Sequence, residues 1–393
     1  VAGLTCQKQQ KTVGLERGMC LFKPIHAVVT CVLLLVLSKS GHPAHQTVAH
    51  EYVIPPMTAP KEATDALQKT ASTQPTSRFD FHQFQAGMNV LVYGHPDMTV
   101  TNIVLQCLRE LGVNSVAISF PIFQSHLQSN RLFTKPSDTP EMAELEQLIQ
   151  MAKAEGLHVM LRPLLDEQSL METGHWRGDI APTSPEEWFR SYRNLLIQYA
   201  LLAQKTGVDI FNIGTELSSL ETAYSEAWIR LIQDIRQVYE GKLIYSFNWD
   251  RMADIHEVPF VPWLDYIGLD AYFPLDVPDD ADVATLYAAW KKWTNQISHQ
   301  AGKPIIITEA GMIPVSGAFR TPYAWSLPDR KLDWAAQARY YEATFYAWQP
   351  LTRGIYWWCV SLTPDDPDVI DYSPLGTPTE HVIQRLFARS SPE

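Results

Sequence analysis

Short apolar runs that alternate with helical periodicity are the feature that most constrains the fold of this chain. The runs begin near Phe81 and recur eight times over roughly 310 residues. The predicted strands are 87–93, 115–120, 158–164, 209–214, 243–248, 266–270, 304–308 and 354–358. Most of them are apolar throughout, as in parallel strands that are buried on both faces. Eight strand–helix repeats favour an α/β fold, the (β/α)8 TIM barrel, over an open doubly wound sheet.

Amphipathic segments fill most of the connections between these strands. We predict helices over 100–111, 141–155, 185–205, 225–239, 284–299 and 333–348. The third of these helices has a clear start, because Ser184 can cap it and Pro185 suits its first turn. The connection at 251–262 is weakly periodic and contains prolines, so the sequence does not support a helix there.

The first eighty residues differ in composition from the predicted barrel. Basic residues precede an apolar run, Ala27–Leu37, and small polar residues follow it, which is the order found in a secretory signal. The run is shorter than the ~20 residues that cross a bilayer comfortably; an uncleaved anchor is the alternative. We expect residues 1–44 to be a signal peptide or N-terminal anchor, 45–80 a flexible linker, and 81–393 the barrel domain. The protein would then be exported, and would contact a membrane only through an uncleaved N-terminal segment.

Charge and motif content argue against several classes of partner. Lys and Arg number 31 and Asp and Glu 43, a formal net charge of −12, so no basic surplus exists to displace counterions from a nucleic acid. No GxGxxG or Walker-type loop follows the first predicted strand, which argues against a nucleotide. No CxxC or HExxH spacing occurs, and the sequence predicts no metal and no other cofactor. The sequence leaves open whether Cys107 and Cys359 pair.

Two glutamates stand where a barrel places its functional side chains, just past the carboxyl ends of strands. The fourth predicted strand ends at Glu216 and the seventh at Glu309. They are 93 residues apart, which corresponds to three strand–helix units. Because the two strands lie on opposing sides of the barrel, these side chains are expected to face each other across its mouth.

Strand alternation also gives an expectation for the barrel wall next to Glu309. If Glu309 points inward, Ile305 and Ile307 share its side. Ile306 and Thr308 are then expected to face the helices.

Two carboxyl groups that face each other suit glycoside hydrolysis. At a separation of roughly 5 Å, one acts as nucleophile and the other as acid and then base, with net retention. The acid has to keep its proton near neutral pH, which desolvation and a neighbouring negative charge can arrange. The alternative is that each glutamate forms an ordinary ion pair on the rim.

Four sequence elements resemble a known family. They are GTEL after the fourth strand, TEAG after the seventh, IGLDAYFPL around the sixth, and the HWRGDI loop followed by EEWFRSY. In this order they resemble the retaining clan A glycoside hydrolases, and most closely family 113, the β-mannanases, over about Phe84 to Phe387. The resemblance implies Glu216 as acid/base and Glu309 as nucleophile. Thr215 departs from the asparagine that many clan members carry before the acid/base, so the contact to the sugar 2-hydroxyl stays unassigned.

Residues near the sixth and eighth strands are candidates for substrate binding. Tyr272 could donate its hydroxyl to Glu309, as the strand-six tyrosine of the clan does, or serve only in packing. Asp270 is either a partner behind the site or a strand-end cap. Trp357 and Trp358 must point in opposite directions, and the resemblance favours Trp358 as the platform for a sugar ring.

The third and fifth strands supply the remaining candidates. Asn248, after the fifth strand, could bind sugar hydroxyls or form a turn. Trp176 and Arg177, in the long loop after the third strand, could line a polysaccharide groove or tether the loop. Arg162, at the end of the third strand, could bind a catalytic carboxylate or neutralise Asp166.

The sequence thus predicts a retaining hydrolase of a polysaccharide or oligosaccharide, which needs neither cofactor nor metal. The resemblance implies β-1,4-mannosidic linkages in a mannan as the bonds cleaved. One alternative is the same chemistry on another β-linked glycan, such as a glucan or an amino-sugar polymer. Another is a barrel that binds carbohydrate without cleaving it, which the intact pair of Glu216 and Glu309 argues against.

Overall fold

A computed structural model describes residues 83–166, 170, 174–297, 302–327, 329–363 and 370–388. The segments predicted as signal peptide or anchor (1–44) and as linker (45–80) lie outside the described residues. Within the described ranges, no helix combines the length and the apolar character that a membrane span requires.

Among the described residues, nine strands form one sheet, and eight of them close into a barrel. They are β1 (Gln85–Leu91), β2 (Ser115–Gln124), β3 (Leu132–Phe133), β4 (His158–Leu165), β5 (Ile210–Thr215), β6 (Lys242–Asn248), β7 (Tyr266–Asp270), β8 (Ile305–Ala310) and β9 (Gly354–Ser361). The barrel strands are parallel neighbours in chain order, and β9 closes the circle by pairing with β1. The short β3 pairs antiparallel with the end of β2 and was not predicted. The predicted (β/α)8 barrel is confirmed, and all eight predicted strands are found.

Helices connect these strands. In the described ranges they are α1 (Met98–Glu110), α2 (Met142–Ala154), α3 (Pro185–Thr206), α4 (Ser218–Glu221), α5 (Ser225–Arg236), α6 (Val283–Ile297), α7 (Trp334–Trp348) and α8 (Pro378–Ala388). All six predicted helices are present. The connection between β6 and β7 contains 3-10 turns, Trp249–Glu257 and Val261–Trp263, where the sequence did not support an α-helix.

Some local details differ from the expectations. Ser184 is the N-cap residue of α3, but its side chain makes no capping hydrogen bond. Neither α4 nor α8 was predicted; α8 places Phe387 against Phe345 of α7, with ring centroids 6.2 Å apart. Cys359 is a buried thiol in β9, so it does not form a disulfide with Cys107.

The interior of the barrel is apolar at one level and polar at the next. Seven buried side chains form a cluster inside it: Ala117, Met160, Ile210, Ile244, Tyr266, Ile306 and Tyr356. On β1 the corresponding residue is Gly87, where a Cβ would lie 2.4 Å from the ring of Tyr356, so the glycine makes room for that ring. Two residues further along six of the strands, the inward positions hold fully buried polar side chains: Asn89, Ser119, Arg162, Asn212, Ser246 and Thr308. This change in polarity lies at the carboxyl-terminal end of the barrel, where barrels of this type carry their active sites.

Candidate active site

The alternation predicted along β8 is wrong. Ile306 belongs to the cluster inside the barrel, whereas Ile305 and Ile307 pack in the larger core that includes the helices. Thr308, which was expected to face the helices, is fully buried and bonds to polar groups inside the barrel. In a regular strand, Glu309 would therefore point outward.

A β-bulge reverses the direction of Glu309. Leu269 on β7 lies opposite Ile307, but the next residue, Asp270, lies opposite Glu309, so β8 accommodates one extra residue. Bulges are common at the rims of barrels, where they re-aim a side chain. Here the bulge turns Glu309 back toward the interior, next to polar groups on β4 and β7.

Asn89 on β1 stabilises this bulge. A bulge leaves backbone groups without strand partners. The side-chain amide of Asn89 donates to the carbonyl of Thr308 (2.9 Å) and to that of Trp357 (3.4 Å). The buried amide therefore takes the place of strand pairing at the point where β8 is irregular.

Arg162 on β4 is at the centre of the site. Its guanidinium lies 2.5 Å from Oε1 of Glu309 and 3.1 Å from Oδ2 of Asp270, and it donates to the side-chain oxygen of Asn89 (3.3 Å). Burial by itself would lower the pKa of Arg162, but the charges of Glu309 and Asp270 outweigh burial and raise it. The group therefore stays cationic. Of its two predicted roles, the contact with a candidate catalytic carboxylate is found.

Tyr272, just past β7, holds the second oxygen of Glu309. Its hydroxyl donates to Oε2 over 2.7 Å, which is one of its two predicted roles. Burial raises the pKa of Tyr272 well above its usual value, and the charge of Glu309 adds to the effect, so the hydroxyl keeps its proton and remains a donor. With Arg162 on one oxygen and Tyr272 on the other, the carboxylate of Glu309 is fixed in orientation.

Asp270, at the end of β7, lies behind Glu309. It is fully buried and accepts hydrogen bonds from Arg162 and from the hydroxyl of Thr308 (2.7 Å). Burial raises the pKa of Asp270 and the charge of Glu309 adds to the effect, whereas the charges of Arg162 and Arg177 oppose it. Of the two predicted roles of Asp270, that of a partner behind the site is found. Arg177 lies near enough for its charge to act on this cluster.

The two tryptophans near the end of β9 point in opposite directions, as predicted. Trp357 stacks on Tyr341 of α7, with ring centroids 4.3 Å apart. Trp358 lies on the other side of the strand, and the guanidinium carbon of Arg162 is 5.8 Å from its ring centroid. Trp358 therefore borders the cluster around Glu309, while Trp357 packs against the helices.

Glu216 follows β5, three strands away from Glu309 around the barrel. Both glutamates lie at the carboxyl ends of their strands, on the rim where barrels carry their active sites. Like β8, β5 contains one extra residue relative to its neighbour, between Asn212 and Thr215. Glu216 then adopts a left-handed backbone conformation with φ of 53°. Its N–H donates to the carbonyl of Ser246 (2.8 Å), and the residue is half-buried.

A buried network supports the backbone after Glu216. The left-handed conformation costs a non-glycine residue roughly 1–2 kcal/mol, so the surroundings must fix it. The N–H of Leu217 donates to the hydroxyl of Tyr245 (2.9 Å), which in turn donates to Glu221 (3.0 Å). Arg251 donates to the other carboxylate oxygen of Glu221 (3.0 Å). Burial raises the pKa of Glu221 to about 7, although the bonds from Tyr245 and Arg251 oppose the effect.

Two further candidates make local turn contacts. The side-chain oxygen of Asn248 accepts a hydrogen bond from the N–H of Trp249 (2.9 Å) and begins a 3-10 turn. The ring of Trp176 lies across Gly178, where a Cβ would come within 2.2 Å of it. The backbone N–H of Trp176 donates to the carboxylate of Asp179 (3.4 Å). The turn-forming role of Asn248 is therefore found, and sugar contacts by Asn248 and Trp176 stay predictions.

Sequence reasoning missed the network of Tyr245, Glu221 and Arg251. Its members lie on β6, on the short α4 and in a 3-10 turn, and no spacing in the sequence connects them. The available signal was Glu221, an acidic residue five positions after Glu216 and next to Leu220, because a buried charge needs a partner. Among the described residues, no group of three or more His, Cys, Asp or Glu side chains is placed to hold a metal ion.

Fold and site together define a class of protein. A parallel barrel whose carboxyl-terminal rim carries two glutamates, one of them fixed by an arginine and a tyrosine, has the layout of a glycoside hydrolase. Residues 94–364 match the sequence model of Glycoside Hydrolase Family 113. The chain therefore belongs to family 113, and it is a glycoside hydrolase whose substrate is a polysaccharide or oligosaccharide. A search of curated proteins found no match.

Solved structures share this fold. A family 113 β-1,4-mannanase, solved as a complex, is 24% identical with a TM-score of 0.68, over 78% of this chain and 99% of that one. The family 113 β-mannanase AaManA from Alicyclobacillus acidocaldarius, in complex with ManMIm, is 26% identical with a TM-score of 0.66. The match covers 79% of this chain and 98% of AaManA. A β-glucuronidase of an uncultured Clostridium species is 17% identical with a TM-score of 0.53, and the match covers 78% of this chain and 50% of the glucuronidase. The similarity to the glucuronidase concerns the fold alone.

Proposed function

We propose that this hydrolase cleaves β-1,4-mannosidic linkages inside a mannan chain with net retention, with Glu309 as nucleophile and Glu216 as acid/base. The observation that carries the proposal is the fixation of Glu309 by Arg162 and Tyr272 at the end of a bulged strand. A nucleophilic carboxylate has to be held in one orientation toward the anomeric carbon. Membership of family 113 and the solved mannanases support mannan as the substrate.

In the first step, Glu309 attacks the anomeric carbon while Glu216 donates its proton to the glycosidic oxygen. The glycosidic bond breaks, the leaving sugar departs as an alcohol, and a glycosyl ester forms on Glu309. In the second step, Glu216 takes a proton from water, and the hydroxide attacks the same carbon. The ester bond breaks and Glu309 returns to its carboxylate form. Two inversions at one carbon give net retention.

The residues behind Glu309 suit a group whose charge changes during the reaction. Glu309 loses its negative charge when the ester forms and regains it when water releases the sugar. Asp270 lies on the same guanidinium, and because burial and the charge of Glu309 both raise the pKa of Asp270, loss of that charge favours ionised Asp270 as the partner of Arg162. The Arg162–Asp270 pair therefore limits the cost of leaving a buried cation uncompensated in the intermediate. Trp358, which borders this cluster, is the proposed platform for the sugar at the cleaved bond.

Substitution of each glutamate tests the proposal. Glu309→Gln and Glu216→Gln should each abolish the release of reducing sugar from β-1,4-mannan, with circular dichroism and thermal unfolding that show a folded protein. Glu226→Gln, in an exposed surface pair on α5, is the matched control and should keep full activity. Wild-type enzyme tested on mannan, glucan and xylan then identifies the glycan. Substantial mannanase activity of a folded Glu309→Gln variant would refute the assignment.

Azide separates the two roles. In Glu309→Ala, azide can enter the vacated space and attack an activated aryl β-mannoside directly, which gives the α-mannosyl azide. In Glu216→Ala, the glycosyl ester still forms from such a substrate, and azide displaces Glu309 without base assistance, which gives the β-mannosyl azide. Proton NMR distinguishes the two anomers. The reverse pattern would exchange the roles of the two glutamates.

A further inference from the structure

Trp325 is an exposed tryptophan held next to the active site. It lies in the segment after β8 and is 53% exposed. One of its neighbours is Trp358, at 6.3 Å between ring centroids in an edge-to-face arrangement. Trp358 in turn borders Arg162, which holds Glu309. Trp325 is therefore linked through the buried ring of Trp358 to the site where we propose that the glycosidic bond is cleaved.

The segment that carries Trp325 is fixed by a buried tyrosine. Tyr372 lies edge-to-face against Trp325 at 4.9 Å, and its hydroxyl bonds to the carbonyls of Pro322 (2.7 Å) and Ala324 (3.2 Å). Burial raises the pKa of Tyr372 well above its usual value, so the hydroxyl remains a donor. Tyr372 also contacts Tyr272 edge-to-face, at 6.5 Å. Tyr372 thus fixes Trp325 and connects it to Tyr272, which donates a hydrogen bond to Glu309.

A large aromatic side chain that is held in place with half of its surface exposed, next to a functional site, is suited to binding a ligand. An exposed apolar surface beside a functional site marks binding. Tyr323, in the same segment, is 51% exposed. A neutral sugar ring has an apolar face of C–H groups and no charge, so a rigid aromatic ring can stack on it at low entropic cost.

We propose that Trp325 is a stacking platform for a sugar residue of the bound chain, beyond the residue at the cleaved bond. The proposal rests on the proposed function, since it takes the occupant to be part of the same β-linked glycan. Trp358 serves the sugar next to Glu309, and Trp325 serves a sugar further along the chain. The enzyme then gains affinity from the additional sugars of a longer substrate, and a single sugar with an aryl leaving group lacks these sugars.

The test measures kcat/KM of the full-length enzyme on an aryl β-mannoside and on mannan oligosaccharides of increasing length. In Trp325→Ala, the ratio of kcat/KM on the longest oligosaccharide to that on the aryl mannoside should fall on the order of tenfold, mainly through KM. Trp325→Phe should recover part of the loss because it keeps a ring. Trp263→Ala is the matched control: Trp263 is 46% exposed but precedes β7 at the opposite rim. In Trp263→Ala, the ratio of the two kcat/KM values should equal that of the wild type.

Failure of this inference and failure of the proposed function look different. If the wild type cleaves a glucan or xylan instead of mannan, the proposed function fails, and the same length series on that glycan still tests Trp325. Migration in gels that contain mannan, glucan or xylan gives a second measurement that needs no turnover. Retardation of the wild type that is lost in Trp325→Ala and kept in Trp263→Ala supports the inference. The inference is overturned if Trp325→Ala and Trp263→Ala show the same dependence of kcat/KM on oligosaccharide length, or the same retardation in the gels.

Discussion

Removal of the guanidinium of Arg162 should have the largest effect on stability of any single change in the site. Arg162 is fully buried between Glu309 and Asp270. Arg162→Met fills a similar volume but leaves two buried carboxyl groups side by side without their cation. Breaking a buried ion pair by removing one partner costs about 3–5 kcal/mol. We expect the free energy of unfolding to fall by that amount at pH 8.

The pH dependence of this loss identifies its cause. Burial already raises the pKa of Asp270, and without Arg162 the pKa rises further. Protonation removes one of the two unpaired charges, so the loss in Arg162→Met should be smaller at pH 5 than at pH 8. Asp270→Asn removes the same charge, and the double variant should be more stable than the sum of the single effects predicts, by about 1–3 kcal/mol.

Urea unfolding followed by tryptophan fluorescence measures these free energies. Arg190→Met is the matched control, because Arg190 forms an exposed pair with Glu186 on α3; the expected change is within about 0.5 kcal/mol. Arg162→Lys should fall between wild type and Arg162→Met, since lysine keeps the charge but lacks the fork that reaches two carboxylates. The reasoning is wrong if Arg162→Met lowers the free energy of unfolding by less than about 1 kcal/mol. It is also wrong if the double variant loses the full sum of the stability losses of Arg162→Met and Asp270→Asn.

Two other buried carboxyl groups give predictions of opposite sign. Burial raises the pKa of Glu221 to about 7, so Glu221 takes up a proton on folding between about pH 4.5 and pH 7. The free energy of unfolding of the wild type therefore falls as the pH rises through that window, by on the order of 3 kcal/mol. Glu221→Gln should flatten this dependence in urea unfolding at pH 5 to 8; an unchanged slope would contradict it. Burial would also raise the pKa of Asp209, but the hydrogen bond from His158, the charge of Lys153 and the hydrogen bond from the N–H of Val159 outweigh burial and lower the pKa to about 2. This stabilisation is complete above about pH 4 and is lost below it, so Asp209→Asn should cost about 2 kcal/mol at pH 7. Asp209 lies at the amino-terminal rim, and activity per folded molecule should not change.

Much of the site could be predicted because strand ends are visible in the sequence. The apolar runs before Glu216 and Glu309 place both glutamates at carboxyl ends of barrel strands, and the structure has them there. The opposite directions of Trp357 and Trp358 were also predicted correctly, and the hydrogen bond from Tyr272 to Glu309 is one of the two roles that the sequence left open for this tyrosine. The predictions for the strand ends and the tryptophans depend on periodicity and on the order of elements, which are properties of a short stretch of chain, whereas the role of Tyr272 came from the family resemblance.

The sequence-based predictions that were wrong or left open concern contacts between strands. Alternation along β8 predicted the wrong inward residues because the bulge at Thr308 follows from pairing with β7 and from the amide of Asn89. The choice of Arg162 between Asp166 and Glu309 was open in the sequence for the same reason. A guanidinium pairs with the carboxylates that the barrel brings to it.

The amino-acid sequence by itself determined the barrel, the order of its elements and the positions of its two acidic residues, since hydrophobic periodicity acts locally along the chain. Only the tertiary structure decided where those side chains point and which buried charges compensate one another. Register shifts and buried ion pairs arise between segments distant in the chain, so neither is fixed until the barrel has closed.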